Sequence, residues 1–277
     1  MATPAVLVEN LFSTIQFPSH VVAAEEAASG YEAFRVANGR RSVADYWTPT
    51  TADSDTWIKA TCNTVRAANG FALDRGHNLA GYTVALQVSN DDFTTYETAF
   101  SGVLPSVSAP GAFGDALGVR TEEGAWLHRF DLRAGYYWRL FVPAMGASLL
   151  PRVVGLWVGL ILDLEYLDRP YQDDQDDLVM AGVESDMGWT GTGRVTQRRA
   201  GELRIALHSY ADYDLVRYHL QGHYGARRPT WIVHNQDQAD QAVLGIRPEG
   251  ELGFGYDRDW GYRRGVLRYV EHEPRAA

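Results

Sequence analysis

The chain has 277 residues, 45% of them hydrophobic, and 25 basic against 35 acidic residues give a net charge of −10. That length suggests one large domain or two ordinary ones. The acidic balance argues against a protein that holds nucleic acid by neutralising phosphates, and the single Cys excludes an internal disulfide framework and a Cys-based zinc site.

No apolar run approaches the ~20 residues of a membrane span, so no membrane insertion is expected. The start, MATPAVLVENLFSTIQF, has no basic leader and carries Glu9, so it does not read as a signal peptide.

In chain order, the first 170 residues read mainly as strands. Ala23–Ala28 is the main helical candidate. Tyr82–Ser89 alternates, with Tyr82, Val84, Leu86 and Val88 on an apolar face and Thr83, Ala85 and Gln87 on a wet one. Asn90-Asp91-Asp92 then supplies a turn. Trp126–Phe130 and Tyr136–Val142 read as two strands separated by Arg133-Ala134-Gly135. Val153–Leu164 is apolar without a helical period and fits a buried strand pair or one long central strand. Short strands with Gly, Pro, Asn and Asp punctuation predict an antiparallel jelly-roll sandwich.

The segment Phe71–Leu79, with its His77-Asn78-Leu79 turn, followed by Tyr82–Asp91, resembles the discoidin-type jelly roll of bacteriophage tail proteins. Trp57 matches the tryptophan near the start of that sandwich. Trp138-Arg139-Leu140 is similar to its penultimate strand, and Pro151–Gly159 with Asp168-Arg169-Pro170 to its last. The resemblance covers about residues 1–170 and implies a structural role for the His77-Asn78 turn. The residues themselves agree, because Asn tolerates left-handed geometry and bonds its own backbone.

Charge marks a boundary. Residues 1–170 carry a net −6, residues 171–180 (YQDDQDDLVM) carry −4, and residues 181–277 are neutral. Four Asp in seven residues repel one another, so 171–180 is expected to be an acidic interdomain linker. A calcium loop is the rival. It lacks the glycine turn and distal Glu of the EF-hand pattern.

Beyond it, Arg198–Leu207 alternates as a strand, and Asp212 can cap a helix through Tyr213–Leu220 that Gly222 or Gly225 ends. Arg228–His234 and Gly261–Glu271 read as further strands. Residues 181–277 are thus predicted to form a small β-barrel or split sheet with one helix. That order resembles the ring-forming domain of phage distal tail proteins, over about 90 residues.

Catalytic motifs fail when tested. His219 and His223 have the spacing of a zinc pair, but Leu220 replaces the Glu and Gly222 interrupts the turn. Gly188–Arg194 lacks the Lys-Ser/Thr of a phosphate loop and reads as a flexible turn. No G-x-S-x-G elbow is present. Cys62 fits a core position better than a nucleophile. No catalytic, cofactor or metal residue is nominated, and a hydrolase is the least favoured class.

Two other groups of residues are nominated. Of the 25 basic residues all but Lys59 are Arg, and Arg favours planar, bidentate contacts. The doublets Arg198-Arg199, Arg227-Arg228 and Arg263-Arg264 (Arg40-Arg41 lies in the first region) are candidates for an oligomer interface. Tyr46, Trp47 and Phe113 sit among Gly, Pro or Asp and are candidates for stacking a sugar ring.

The expected function is a structural, non-catalytic part of a phage tail tip or baseplate. The chain would form a homo-oligomeric ring on other tail proteins, reside in the virion and be made in the host cytoplasm. The alternative is a carbohydrate-binding module contacting a host surface glycan.

Overall fold

Runs rich in aromatic and β-branched residues, broken every few positions by Gly, Asn or Asp, leave little helical period, and the chain folds chiefly as strands. A computed structural model describes residues 5–37, 45–74, 76–104, 119–120, 126–146, 148–163, 175–184, 190–207, 214, 218, 230–233, 242–248, 254–257 and 262–271. In chain order the strands are β1 (Ala5–Leu7), β2 (Val21–Ala24), β3 (Thr56–Leu73), β4 (Thr83–Ser89), β5 (Glu97–Val103), β6 (Val119–Arg120), β7 (Trp126–Val142), β8 (Leu156–Gly159), β9 (Ile161–Asp163), β10 (Gln175–Glu184), β11 (Thr190–Leu207), β12 (Thr230–Val233), β13 (Ala242–Pro248), β14 (Phe254–Asp257) and β15 (Tyr262–Glu271). One 3-10 turn spans Ala33–Ala37. The chain divides into two units, Met1–Asp163 with Val233–Leu244 and Leu164–Ile232 with Gly245–Ala277.

The first unit is a jelly-roll sandwich built on two long strands. β3 and β7 pair antiparallel from Thr56↔Val142 to Leu73↔Trp126, with register shifts between Thr61 and Arg66 and between Ala68 and Gly70. Such bulges bend a strand, and the two halves of the pair serve different neighbours. The first half of β3 carries β2, and the last half of β7 carries β4 and then β5. The second half of β3 carries β8, and the first half of β7 carries β6. β1 pairs with β9. Trp47, Trp126, Trp138, Phe12, Phe71 and Leu73 are fully buried in the core.

Several expectations need correction here. Ala23–Ala28 is not helical. Ala23 and Ala24 belong to β2 and pair with Lys59 and Ile58, so tertiary pairing overrides the helix propensity of alanine. The wet face of Tyr82–Ser89 is largely buried as well, at Ala85, Gln87 and Ser89. Gln87 is satisfied there, because its Oε1 accepts the Arg139 Nε–H at 2.6 Å. Residues 126–142 are one strand, not two. Gly135 makes no turn. A Cβ there would collide with Val88 Cγ2 and lie 2.8 Å from the Ser89 carbonyl oxygen, so glycine serves a close approach of β7 to β4.

Other expectations hold. Val153–Asp163 holds two strands, β8, buried throughout and paired with β3, and β9, buried at Ile161, exposed at Asp163 and paired with β1. Leu164 lies outside the described residues. Asp92 (φ 55°) and Phe93 (φ 66°) make the turn after β4. Ser89 Oγ accepts the Asp91 and Phe93 N–H groups, and the Asp91 carboxylate accepts the Thr95 N–H and hydroxyl.

Cys62 is a core residue. It is 3% exposed, and burial pushes its thiol up to about 12. At pH 8 the folded protein then holds only about one thiolate per ten thousand thiols. Thiol titration is expected to label Cys62 in denaturant and leave it unlabelled in buffer over the same time. Fast labelling in buffer would place it at the surface.

In the second unit β10 pairs with β11, and β11 with β15. The other edge of β15 is shared by β13, at Glu271–Tyr269, and β14, at Gly265–Tyr262. That is a split sheet. Asp214 and Tyr218 are helical, as the expected 213–220 helix requires. The remainder of that helix, His219 and His223 lie outside the described residues.

The expected linker needs correction too. Residues 175–180 are strand, and 171–174 lie outside the described residues. The repulsion argument treated the acidic run alone. In the ladder, Asp176 is in register with Arg199 and Asp177 with Arg198, and opposed unlike charges favour pairing. Thr190–Arg194 also belongs to a strand, β11, where a flexible turn was expected, and Gly188 and Trp189 lie outside the described residues.

Candidate functional site

The ends of the long strands determine where loops gather. The segment before β3 forms a two-residue bridge with the segment after β7: the Trp47 N–H donates to the Val153 carbonyl at 2.9 Å, and the Val153 N–H donates back at 3.0 Å. The turn after β3 joins them. Asn78 Oδ1 accepts the Arg152 N–H at 2.7 Å, and Asn78 Nδ2 donates to the Leu150 carbonyl at 2.9 Å. Gly76 carries the positive φ of this turn, 86°. A fourth segment is tied on by the Ala28 N–H, which donates to the Thr48 carbonyl, and by the Glu26 carboxylate, which holds Thr50 and Thr51. The bent β3 and β7 therefore bring their two ends to one loop cluster. His77-Asn78 is structural, with His77 Nδ1 accepting the Leu79 N–H at 3.2 Å, but not by the expected means: the left-handed position is Gly76, and Asn78 bonds Leu150 and Arg152 rather than its own backbone.

The cluster presents a small aromatic and cationic site. Trp47 points into the core, so its neighbour Tyr46 points out, as successive residues of an extended segment must. Tyr46 is half-buried and meets Tyr31, with ring centroids 4.6 Å apart at 31°. A side-chain hydrogen bond to Tyr31 raises the Tyr46 phenol above its ordinary value. Burial acts in the same direction, and the Arg152 charge opposes both. Arg152 sits diagonally across the bridge from Tyr46, within reach for a long side chain. Its guanidinium carbon lies 5.3 Å from the Tyr46 ring centroid, and its Nε–H donates to the Gly76 carbonyl at 3.0 Å. On the flank, Arg35 bonds Asp45 at 2.6 Å and Glu32 at 3.1 Å.

Of the nominated aromatics among the described residues, Tyr46 belongs to this site and Trp47 does not. Trp47 is fully buried and its indole N–H donates to the Glu26 carbonyl at 3.1 Å, so it is a core residue and cannot stack a ligand. Phe113 lies outside the described residues. Tyr31 and Arg152 were not nominated; neither has a local motif, and Arg152 is brought to Tyr46 by the bridge to Val153, Tyr31 by the bond from Ala28 to Thr48.

The Arg doublets are distributed differently. Arg198 and Arg199 lie on β11 opposite Asp177 and Asp176, and Arg263 and Arg264 lie on β15 opposite Leu207 and Ala206. Arg227 and Arg228 lie outside the described residues.

A second cationic and aromatic patch, on β3, β7 and the turn after β4, is closed by its own chain. Lys59 Nζ is 2.6 Å from Asp92 Oδ1 and lies over the Trp57 and Tyr137 rings. Arg139 is covered by Phe93, 4.1 Å from its centroid, and by Tyr96. These cations hold the 91–96 turn down on the sheet.

No protein-family model matches the chain, and no curated protein is similar to it. Solved structures are similar at low identity. They include a chitosan-binding module of a chitosanase/glucanase from Paenibacillus sp. IK-5, in complex with chitotriose (17% identity, TM-score 0.40, 54% of this chain and 99% of that one). A Clostridium perfringens module in complex with GalNAc-β-1,3-galactose matches at 14% identity and TM-score 0.39, over 56% of this chain and 99% of that one. A Ruminococcus gnavus fucosidase in complex with fucose matches at 12% identity and TM-score 0.41, over 55% of this chain and 26% of that one.

Proposed function

We propose that this chain binds carbohydrate at the loop cluster of its jelly roll. The observation that carries the proposal is the Tyr31–Tyr46–Arg152 arrangement: two partly open rings at 4.6 Å with a guanidinium over one of them, anchored to the Gly76 backbone. A sugar offers apolar C–H faces to an aromatic ring and hydroxyls to fixed donors, and this site supplies both. Because the anchors are backbone hydrogen bonds, little ordering remains to oppose binding.

A glycan array probed with the whole chain tests this. Saccharide retention is expected, and Tyr46→Ala is expected to weaken it at least about tenfold. A folded protein that retains no saccharide would refute the proposal. The tail-assembly role rests on the sequence resemblance, and no contact among the described residues favours it over glycan binding.

A further inference from the structure

We propose that the Tyr46 site takes an acidic saccharide, a sugar bearing a carboxylate that the Arg152 guanidinium receives. This rests on the carbohydrate reading and names its ligand class.

Among the described residues, the charged groups named at the site are paired with one another, except Arg152. Glu32 and Asp45 both bond Arg35, which lies between them. Arg152 makes no ion pair with any described residue. Its Nε is committed to the Gly76 carbonyl, and its terminal nitrogens have no hydrogen-bond partner among the described residues. One edge of the guanidinium is therefore fixed, its carbon lies 5.3 Å from the Tyr46 centroid, and its terminal nitrogens are unused by the described residues.

That geometry suits a carboxylate better than a hydroxyl. The two terminal nitrogens present parallel N–H groups, and a carboxylate accepts both at once. A hydroxyl satisfies one. The difference grows as the ligand excludes water. A neutral sugar lying on Tyr46 and Tyr31 would shut a lone half-buried cation away from solvent, which is costly. A carboxylate cancels that charge as it arrives. The carboxylates of Glu32 and Asp45 do not repel such a ligand as free charges would, because Arg35 neutralises part of their field at 3.1 and 2.6 Å.

Two matched pairs of probes separate this proposal from the one it rests on. Trigalacturonate and its methyl ester share one ring skeleton, as do sialyllactose and its carboxyl methyl ester. In titration calorimetry on the whole chain, the acid member of at least one pair should bind about tenfold more tightly. That preference should shrink as salt is raised. Arg152→Gln should abolish the preference, and Arg152→Lys, which keeps the charge without the fork, should restore only part of it.

Equal affinity within both pairs would overturn the acidic ligand while leaving carbohydrate binding in place. A preference that survives Arg152→Gln in a folded protein would overturn the role of Arg152. Binding of neither member of either pair, together with an empty glycan array, would overturn both readings. If the Gln variant does not fold, the salt dependence of the native chain still decides, since a preference indifferent to salt is incompatible with charge pairing.

Discussion

Trp47→Ala is expected to destabilise the first unit by about 3–5 kcal/mol. The indole is fully buried, and its removal leaves a cavity that the surrounding strands cannot close without moving. It also strips the Glu26 carbonyl of the N–H that now lies 3.1 Å away. The same residue holds the bridge to Val153 through its backbone, so packing around the cavity and positioning of the loop cluster are coupled. At about 2–4 °C per kcal/mol for a domain of this size, the melting temperature should fall by roughly 6–20 °C. Tyr46→Ala, one residue away, should cost no more than about 1 kcal/mol because its ring is already half in water. Thermal or denaturant unfolding of the two variants checks the contrast. If Trp47→Ala lost ligand binding without losing stability, Trp47 would be a surface residue and the core assignment would fail.

Gly159→Ala should be comparably damaging for a different reason. Glycine is not needed there for a left-handed backbone, since Gly159 is not among the positive-φ residues. It is needed for space. A Cβ at 159 would overlap the Glu9 carbonyl oxygen and stand 2.6 Å from the Glu9 carbonyl carbon. The chain after β1 runs against β8 and its flank, with the Val8 N–H donating to the Leu160 carbonyl at 2.9 Å and the Leu11 N–H to the Val158 carbonyl at 2.8 Å. Backbone cannot swing aside as a side-chain tip can, so the strand would have to shift and break these bonds. A loss of more than about 3 kcal/mol is expected. Gly70→Ala is the control. Gly70 pairs with Gly159, but its Cβ would meet Ile161 and Leu7 side-chain atoms at 2.5–3.0 Å, which can rotate. It should cost less. Similar stability of the two variants would mean that the segment after β1 does not press on β8.

How legible these features were depended on whether the signal was local. β4, the second half of β11 and β15 were readable because alternation or clustered aromatics runs through each. β3 was visible only at its ends, at Trp57 and at Phe71–Leu73. Its middle holds Asn63, Thr64, Arg66, Asn69 and Gly70, and the register shifts fall there. A bulged strand loses the period that betrays it. β1, β5, β6, β13 and β14 were missed: β1 and β6 are short, and Gly102, Gly245 and Gly255 interrupt the other three. The acidic run misled because repulsion along one strand is visible in sequence and a facing Arg pair is not.

The candidate site shows the same division. Loop composition nominated Tyr46 and Trp47 equally, and it could not separate them, because adjacent residues of an extended segment face opposite ways and composition carries no phase. Arg152 and Tyr31 carried no signal at all.

By itself the sequence determined that this protein is mainly β, that strands run through its apolar stretch after Val153, and that Cys62 has no disulfide partner in the chain. Those follow from periodicity, hydrophobicity and count, which are properties of the chain alone. Only the tertiary structure decided which aromatic faces outward, which glycines guard a backbone contact, and that Tyr31, Tyr46 and Arg152 meet. Those depend on the bend in β3 and β7 and on one bridge between distant segments, and a linear sequence does not contain the distance between residues 46 and 152.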